Sequence, residues 1–242
     1  MQKNPTPIPI LMYHSISEMP KGTIMRGLHV PPKRFALQMK LLKILGYKGL
    51  SINELQPYLK GEKTGKVVGL TFDDGYKNNV TNALPILEKN NFSATCYLVS
   101  QNIGGINHWD ISKGIPESVI MDNQDTQLWV DAGMEIGSHT QNHIHLTQVD
   151  AHTAKREIEQ SKNDLESRFN CTINNFCYPY GDLNLEVISM VKDAGYQTAT
   201  TVQRGRSTIF DKKLELPRVP IWHSTLPHLF LLKILTRYED KR

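Results

Sequence analysis

The order of apolar runs along this 242-residue chain predicts an α/β protein built on a parallel sheet or barrel. Short runs such as Val67-Val68-Gly69-Leu70 alternate with longer segments whose apolar residues recur at helical spacing. The length suits one large domain spanning 1–242, because α/β barrels reach this size undivided. A content of 39% hydrophobic and 21% charged residues supplies a substantial core and argues against disorder.

Pro9 to Tyr13 reads as a strand that delivers His14 at its end, followed by a loop from Ser17 to Val30. Pro31-Pro32 opens a helix to about Leu45, with Phe35, Met39 and Leu42 on one face and Gly46 as its stop. Ile52 to Leu59 forms a second helix, capped by Ser51 or Asn53. The strand Val67 to Phe72 precedes a helix from about Lys77 to Asn90, and Phe92 to Val99 is the next strand. Residues 100–125, which contain Trp109-Asp110, form a loop long enough to be functional or mobile. Asp125 or Thr126 caps a helix ending near Gly133, and the strand Met134 to Gly137 leads into His139.

Asp150 caps a long helix to about Phe169, with Ile158 and Leu165 facing inward. Asn175 to Tyr178 is a strand, Asn184 to Ala194 a helix, and Tyr196 to Thr200 another strand. Leu214 to Trp222 is a last strand, which Pro217 and Pro220 place at an edge or make irregular. Leu226 to Tyr238 closes the chain as a helix.

Several function classes are disfavoured. A net charge of +4 without basic blocks gives no footprint for nucleic acid. No 18-residue apolar run exists to form a transmembrane segment. Met1 to Pro9 has no apolar region of the kind that makes a signal peptide. The odd cysteine count (Cys96, Cys171 and Cys177, with no CxxC pair) argues against a disulfide framework or a Cys-rich zinc site, although a Cys171–Cys177 bridge stays open. Cys96 lies in an apolar run and reads as core.

The chemistry concentrates in two places. In Leu70-Thr71-Phe72-Asp73-Asp74-Gly75-Tyr76, two carboxylates stand where a strand ends and Gly75 permits a turn. Side chains alternate on extended backbone, so the pair divides its labour: one carboxylate for a metal, the other for a proton. Alone, the stretch is also what a solvated turn looks like. The second place is Ser138-His139-Thr140-Gln141-Asn142-His143-Ile144-His145. In a helical turn His139 and His143 would share one face and, with a carboxylate from elsewhere, suit one metal ion. His145 falls outside that spacing and reads as a surface or supporting residue.

Together, Thr71-Phe72-Asp73-Asp74-Gly75-Tyr76 and Ser138-His139-Thr140-x-x-His143 resemble the polysaccharide deacetylase family (NodB homology, carbohydrate esterase family 4). Leu11-Met12-Tyr13-His14-Ser15-Ile16, Phe176-Cys177-Tyr178-Pro179-Tyr180-Gly181 and Leu216-Pro217-Arg218 extend the resemblance to the branch containing poly-N-acetylglucosamine deacetylases. The resemblance implies a deformed (β/α) barrel of about seven strands and metal-dependent removal of acetyl groups from N-acetylglucosamine-containing glycans. It implies further that Asp74, His139 and His143 bind a divalent metal, zinc, that Asp73 is the base, and that the Tyr180 backbone N–H faces the oxyanion.

This chain departs from the family pattern in two respects. The arginine that usually opens the third motif is Cys177 here, and Arg218 is the candidate to supply its charge to Asp73. No clear C-terminal Leu-x-His motif is present, which leaves His14 as the first candidate for the acid and His223 as the second. Trp109 and Trp222 read as sugar platforms or as core or lid residues, and Trp129 as packed. Two rivals remain: an amidase of the same fold acting on a small amide, and a catalytically silent glycan-binding protein.

Overall fold

Every strand ladder in the computed structural model, which describes residues 7–19 and 21–241, is parallel. The strands are β1 (Ile10–Tyr13), β2 (Lys48–Leu50), β3 (Val67–Phe72), β4 (Thr95–Leu98), β5 (Glu135–Ser138), β6 (Asn175–Cys177), β7 (Thr198–Arg204) and β8 (Leu216–Pro220). β1, β3 and β4 are buried along their whole length, as strands with both faces covered are. β1 pairs with β8 on one side and with β3 on the other, from Ile10↔Gly69 to Tyr13↔Phe72. Seven strands therefore close into a barrel in the order β1-β3-β4-β5-β6-β7-β8. β2 lies outside the ring, against the first half of β3, and β4 takes the second half.

Around this ring lie α1 (Pro32–Ile44), α2 (Ile52–Leu59), α3 (Leu84–Asn90), α4 (His108–Ile111), α5 (Asn123–Asp131), α6 (Ala151–Phe169), α7 (Leu185–Asp193) and α8 (Pro227–Leu235). Aromatic side chains join barrel to helices: Phe72 meets Tyr13 at 5.5 Å, Phe35 at 5.8 Å and Trp129 at 5.8 Å between ring centroids. Trp129 is fully buried and donates its Nε1–H to the Glu135 carbonyl. Because all strands run the same way, their C-terminal ends open on one face, where the loops carry the polar side chains.

The barrel has the class and strand number that the resemblance implied; several local expectations change. The three-residue β2 was not anticipated, being too short to show a period. Gly49 in β2 is needed there, since a Cβ would stand 2.6 Å from Leu70 Cδ1. β8 is an interior strand, not an edge. Ile221 N–H donates to Met12 O, so the adjacent Pro220 nitrogen faces β7 beyond the end of that ladder, and no bond is lost. The helix expected from Lys77 is split by a π-turn over Asn79–Ala83, in which Leu84 N–H bonds Asn79 O just before Pro85.

The cap of α5 is Asp122, in a reciprocal box with Asp125, one turn earlier than expected. α2 is capped by Ser51, and α6 by Asp150 as anticipated. All three cysteines are free, which closes the Cys171–Cys177 option. The stretch read for a signal peptide falls mostly on residues 1–6, outside the described residues. Among the described residues no helix is long and apolar enough to cross a membrane.

Close approach behind the site rests on Gly137 of β5, where a Cβ would stand 2.5 Å from Tyr97 Cδ1 and 2.9 Å from Asn175 O. The backbone oxygen cannot swing away, so Gly137→Ala is expected to destabilise the fold by about 1–3 kcal/mol. A lowered midpoint in denaturant unfolding is the readout.

Candidate active site

Asp73 and Asp74 leave the end of β3 in different directions. Asp74 adopts a left-handed conformation (φ 74°), as does Gly75 after it (φ 75°), which turns the chain and separates the two carboxylates. Both are buried. Asp73 points to β8, where Arg218 Nη1 and Nη2 each stand 2.7 Å from one of its oxygens. The guanidinium is itself fully buried, and its Nε–H donates to Thr201 O at 2.8 Å. Cys177 Sγ lies 3.2 Å from Arg218 Nη2, so the guanidinium stands beside the cysteine that replaces the third-motif arginine. Burial pushes the Asp73 pKa up, but the charge and hydrogen bonds of Arg218 outweigh it and hold the carboxyl below its usual value.

Asp74 faces the histidines. Its Oδ1 is 3.5 Å from His139 Nε2 and 3.3 Å from His143 Nε2. Burial raises its pKa, and the hydrogen bonds from the two imidazoles hold it well below the carboxylate range. His139 Nδ1 is 2.7 Å from Cys177 O; a carbonyl only accepts, so that nitrogen carries a proton and Nε2 is the one that would meet a metal.

His143 reaches the site differently from the expected helical turn. Thr140 (φ 66°) and His143 (φ 55°) are both left-handed, and His143 N–H bonds Thr140 Oγ1 at 2.9 Å. The backbone between them is anchored by Glu157 of α6, whose Oε2 accepts from Gln141 N at 3.0 Å and Asn142 N at 2.9 Å.

The donor set fits a divalent metal. One carboxylate oxygen and two imidazole nitrogens lie within 4.8 Å of one another and are buried. Ligands bound at about 2.0–2.1 Å in a tetrahedron stand about 3.3 Å apart. The two Asp74–imidazole separations match that spacing. Two imidazoles and one carboxylate leave positions for water and substrate.

These groups share a cleft of about 320 Å³, lined by His14, Asp73, Asp74, His139, His143 and Tyr180. Much of the remaining lining is apolar, including Met25, Ile115 and Val202. His14 follows β1, stands 3.9 Å from Asp73 Oδ2 through Nε2, and lies parallel to Trp222 with 6.5 Å between ring centroids. His223 turns away: its Nδ1 is 3.0 Å from His29 O, and it does not line the cleft. Tyr180 is left-handed (φ 59°), with its ring stacked on His145 at 3.9 Å. Trp109 stacks on His143 at 4.6 Å, which covers one face of its indole.

Sequence reasoning missed several residues. Glu157 reads as one more charge on α6, and Asp110 and Lys113 as ordinary loop charges, although both line the cleft. His29 is buried with Nδ1 2.9 Å from Ser15 Oγ, and burial, followed by the charges of His14 and His223, lowers its pKa to about 4. The Ser15-x-Ser17 spacing was the one signal for that contact.

Fold and site define a parallel barrel with a buried carboxylate–imidazole cluster at its mouth, and comparison with known proteins makes the class specific. The polysaccharide deacetylase family model matches residues 60–199, more than half of the chain. The Bacillus subtilis (strain 168) protein YxkH, named for polysaccharide deacetylases, is 30% identical over 221 residues, covering 90% of this chain and 73% of that protein. A poly-β-1,6-N-acetyl-D-glucosamine N-deacetylase of Staphylococcus aureus is 25% identical over 209 residues, 83% of this chain and 70% of that protein. The Streptococcus pyogenes deacetylase PplD, solved with acetate, superposes with a TM-score of 0.82 at 26% identity, covering 96% of this chain and 99% of that one. The chain belongs to the polysaccharide deacetylase family, whose members are hydrolases of N-acetyl amide bonds.

Arg218→Ala removes the charge that lowers the Asp73 pKa, so the Asp73 carboxyl should titrate at higher pH, and the acid limb of any activity that needs it ionised should follow. The same change leaves a buried carboxylate unpaired and should destabilise the fold by about 3–5 kcal/mol. A pH–rate profile and a denaturant melt on one preparation read both effects.

Proposed function

We propose that this chain is a metal-dependent N-deacetylase of N-acetylglucosamine-containing glycans, releasing acetate and leaving a free amino sugar. The separation of the two adjacent carboxylates supports the reading most: Asp73 is held by Arg218, and Asp74 by two imidazoles. The substrate class rests on the relatives, one of which is named for poly-β-1,6-N-acetyl-D-glucosamine.

Asp74, His139 and His143 would hold the metal, zinc by its preference for this nitrogen and oxygen set. A bound divalent metal supplies Lewis-acid polarisation of the acetamide carbonyl and acidifies water in its open position. Asp73 takes the proton of the attacking water on a carboxylate oxygen. Its lowered pKa keeps it ionised at neutral pH, and each oxygen retains a lone pair beyond the one Arg218 uses. Arg218 fixes the carboxylate plane in two-point contact, a constraint no lysine reproduces. The Tyr180 backbone N–H donates to the oxyanion of the tetrahedral intermediate. His14 Nε2, 3.9 Å from Asp73 Oδ2 at the cleft wall, delivers a proton to the departing amine.

Chelation is expected to abolish acetate release from chito-oligosaccharides or poly-N-acetylglucosamine, and zinc to restore it. Asp73→Asn should reduce turnover by about 10²–10⁴-fold while zinc binding persists. Activity that survives complete metal removal would sink the proposal, and faster turnover of small amides than of any glycan would shift the substrate class. His14→Ala should lower kcat more than it raises KM, and His223→Ala, outside the cleft, should do neither.

A further inference from the structure

The two metal-facing histidines are held in unlike ways. His139 has a carbonyl on its second nitrogen. His143 Nδ1 is buried and has no hydrogen-bond partner. Metal-binding imidazoles are ordinarily oriented by such a partner, so something else must fix this ring. Two rings beyond the histidine pair lie against it: the Trp109 indole, stacked with 4.6 Å between centroids and 24° between planes, and the Tyr180 ring, edge-on at 4.6 Å and 76°, so Trp109 alone covers the face of the imidazole.

Four residues further on, Lys113 Nζ stands 3.1 Å from Asp110 Oδ1, 3.3 Å from the Tyr180 hydroxyl and 4.3 Å from the Tyr180 ring centroid. Tyr180 occupies a sparsely populated backbone region, which persists only where its surroundings over-determine it. The connection carrying these side chains is braced. The buried Asn107 side chain accepts from Ser118 N at 2.7 Å and donates to Pro116 O at 3.2 Å. Its exit is bonded to the turn after the carboxylates, Met121 N to Gly75 O at 2.8 Å and Lys77 N to Val119 O at 2.9 Å.

We propose that residues 107–113 form a positioning strap for the active site: Trp109 sets the orientation of His143, and Lys113 seats Tyr180. The inference rests on the deacetylase reading for the roles of the two residues it holds. Trp109 replaces a missing hydrogen bond with a ring face, which fixes the plane of the imidazole while leaving Nε2 toward Asp74. Lys113 bridges the strap to the loop after β6 through both the ring and the hydroxyl of Tyr180, with Asp110 holding its other side. Neither residue transfers a proton or touches the reacting amide.

The test uses the full chain and separates the two arms. In a zinc competition titration, Trp109→Ala should bind zinc roughly 10-fold more weakly. Trp109→Phe should recover most of that loss, and Trp109→Leu, which keeps bulk without the stacked ring face, serves if the Ala variant does not fold. Lys113→Met should bind zinc as the wild type does, yet lose kcat on the order of 10-fold with KM little changed. Lys113→Arg, which keeps charge and ring contact, should recover turnover. In crystals of Lys113→Met the Tyr180 ring should leave His145. Wild-type zinc affinity in a folded Trp109→Leu overturns the first arm, and an unmoved Tyr180 in Lys113→Met overturns the second. A wild-type chain that releases no acetate fails the deacetylase reading instead, since zinc affinity and the seat of Tyr180 are read without turnover.

Discussion

The buried contact between Asp73 and Arg218 is the constraint on which the rest of the site depends. It joins residues 145 apart, from the end of β3 to the middle of β8, across the mouth of the barrel. An ionised carboxylate at this depth is costly unless paired and hydrogen-bonded. Arg218 supplies two of its bonds, and the guanidinium is satisfied in turn by Thr201 O and Thr71 Oγ1. With Asp73 so held, Asp74 is free to turn toward the histidines. Without Arg218, the two carboxylates would share one small space and one set of partners, the imidazoles.

Backbone strain gathers around the same contact. Asp74, Thr140, His143 and Tyr180 are all left-handed non-glycine residues, and all lie at the C-terminal mouth. Each conformation is held by something specific: Gly75 and the β4 side chain of Leu98 behind Asp74, Glu157 beneath the Thr140–His143 turn, and His145 with Lys113 around Tyr180. The rigid parallel barrel sets the strand ends, and these local anchors aim the side chains within that frame.

Much of the fold was legible because its signals are local. Apolar runs, capping residues and the glycines that close helices place most elements to within a few residues. The failures are instructive for the same reason. β2 is three residues long and owes its place to Gly49 fitting against Leu70 and Phe92, which no periodicity encodes. Pro217 and Pro220 argue for an edge only where a ladder needs the missing N–H, and the register of β8 puts the Pro220 nitrogen toward β7, beyond the end of that ladder. The left-handed turn at Thr140 carries no glycine to announce it; Glu157, nearly a full α-helix away in the chain, holds it instead.

The sequence by itself determined the order of strands and helices, the paired carboxylates after one strand and the paired imidazoles after another. These depend on backbone preference and side-chain type over a few residues. Only the tertiary structure decided which carboxylate meets which partner, that the guanidinium beside Asp73 comes from β8, that His14 rather than His223 enters the cleft, and that Trp109 lies on His143. Those outcomes follow from how β1 and β8 close the ring and from the path of the 107–113 connection. Contacts between residues distant in the chain are set by register and closure, and local pattern does not encode either.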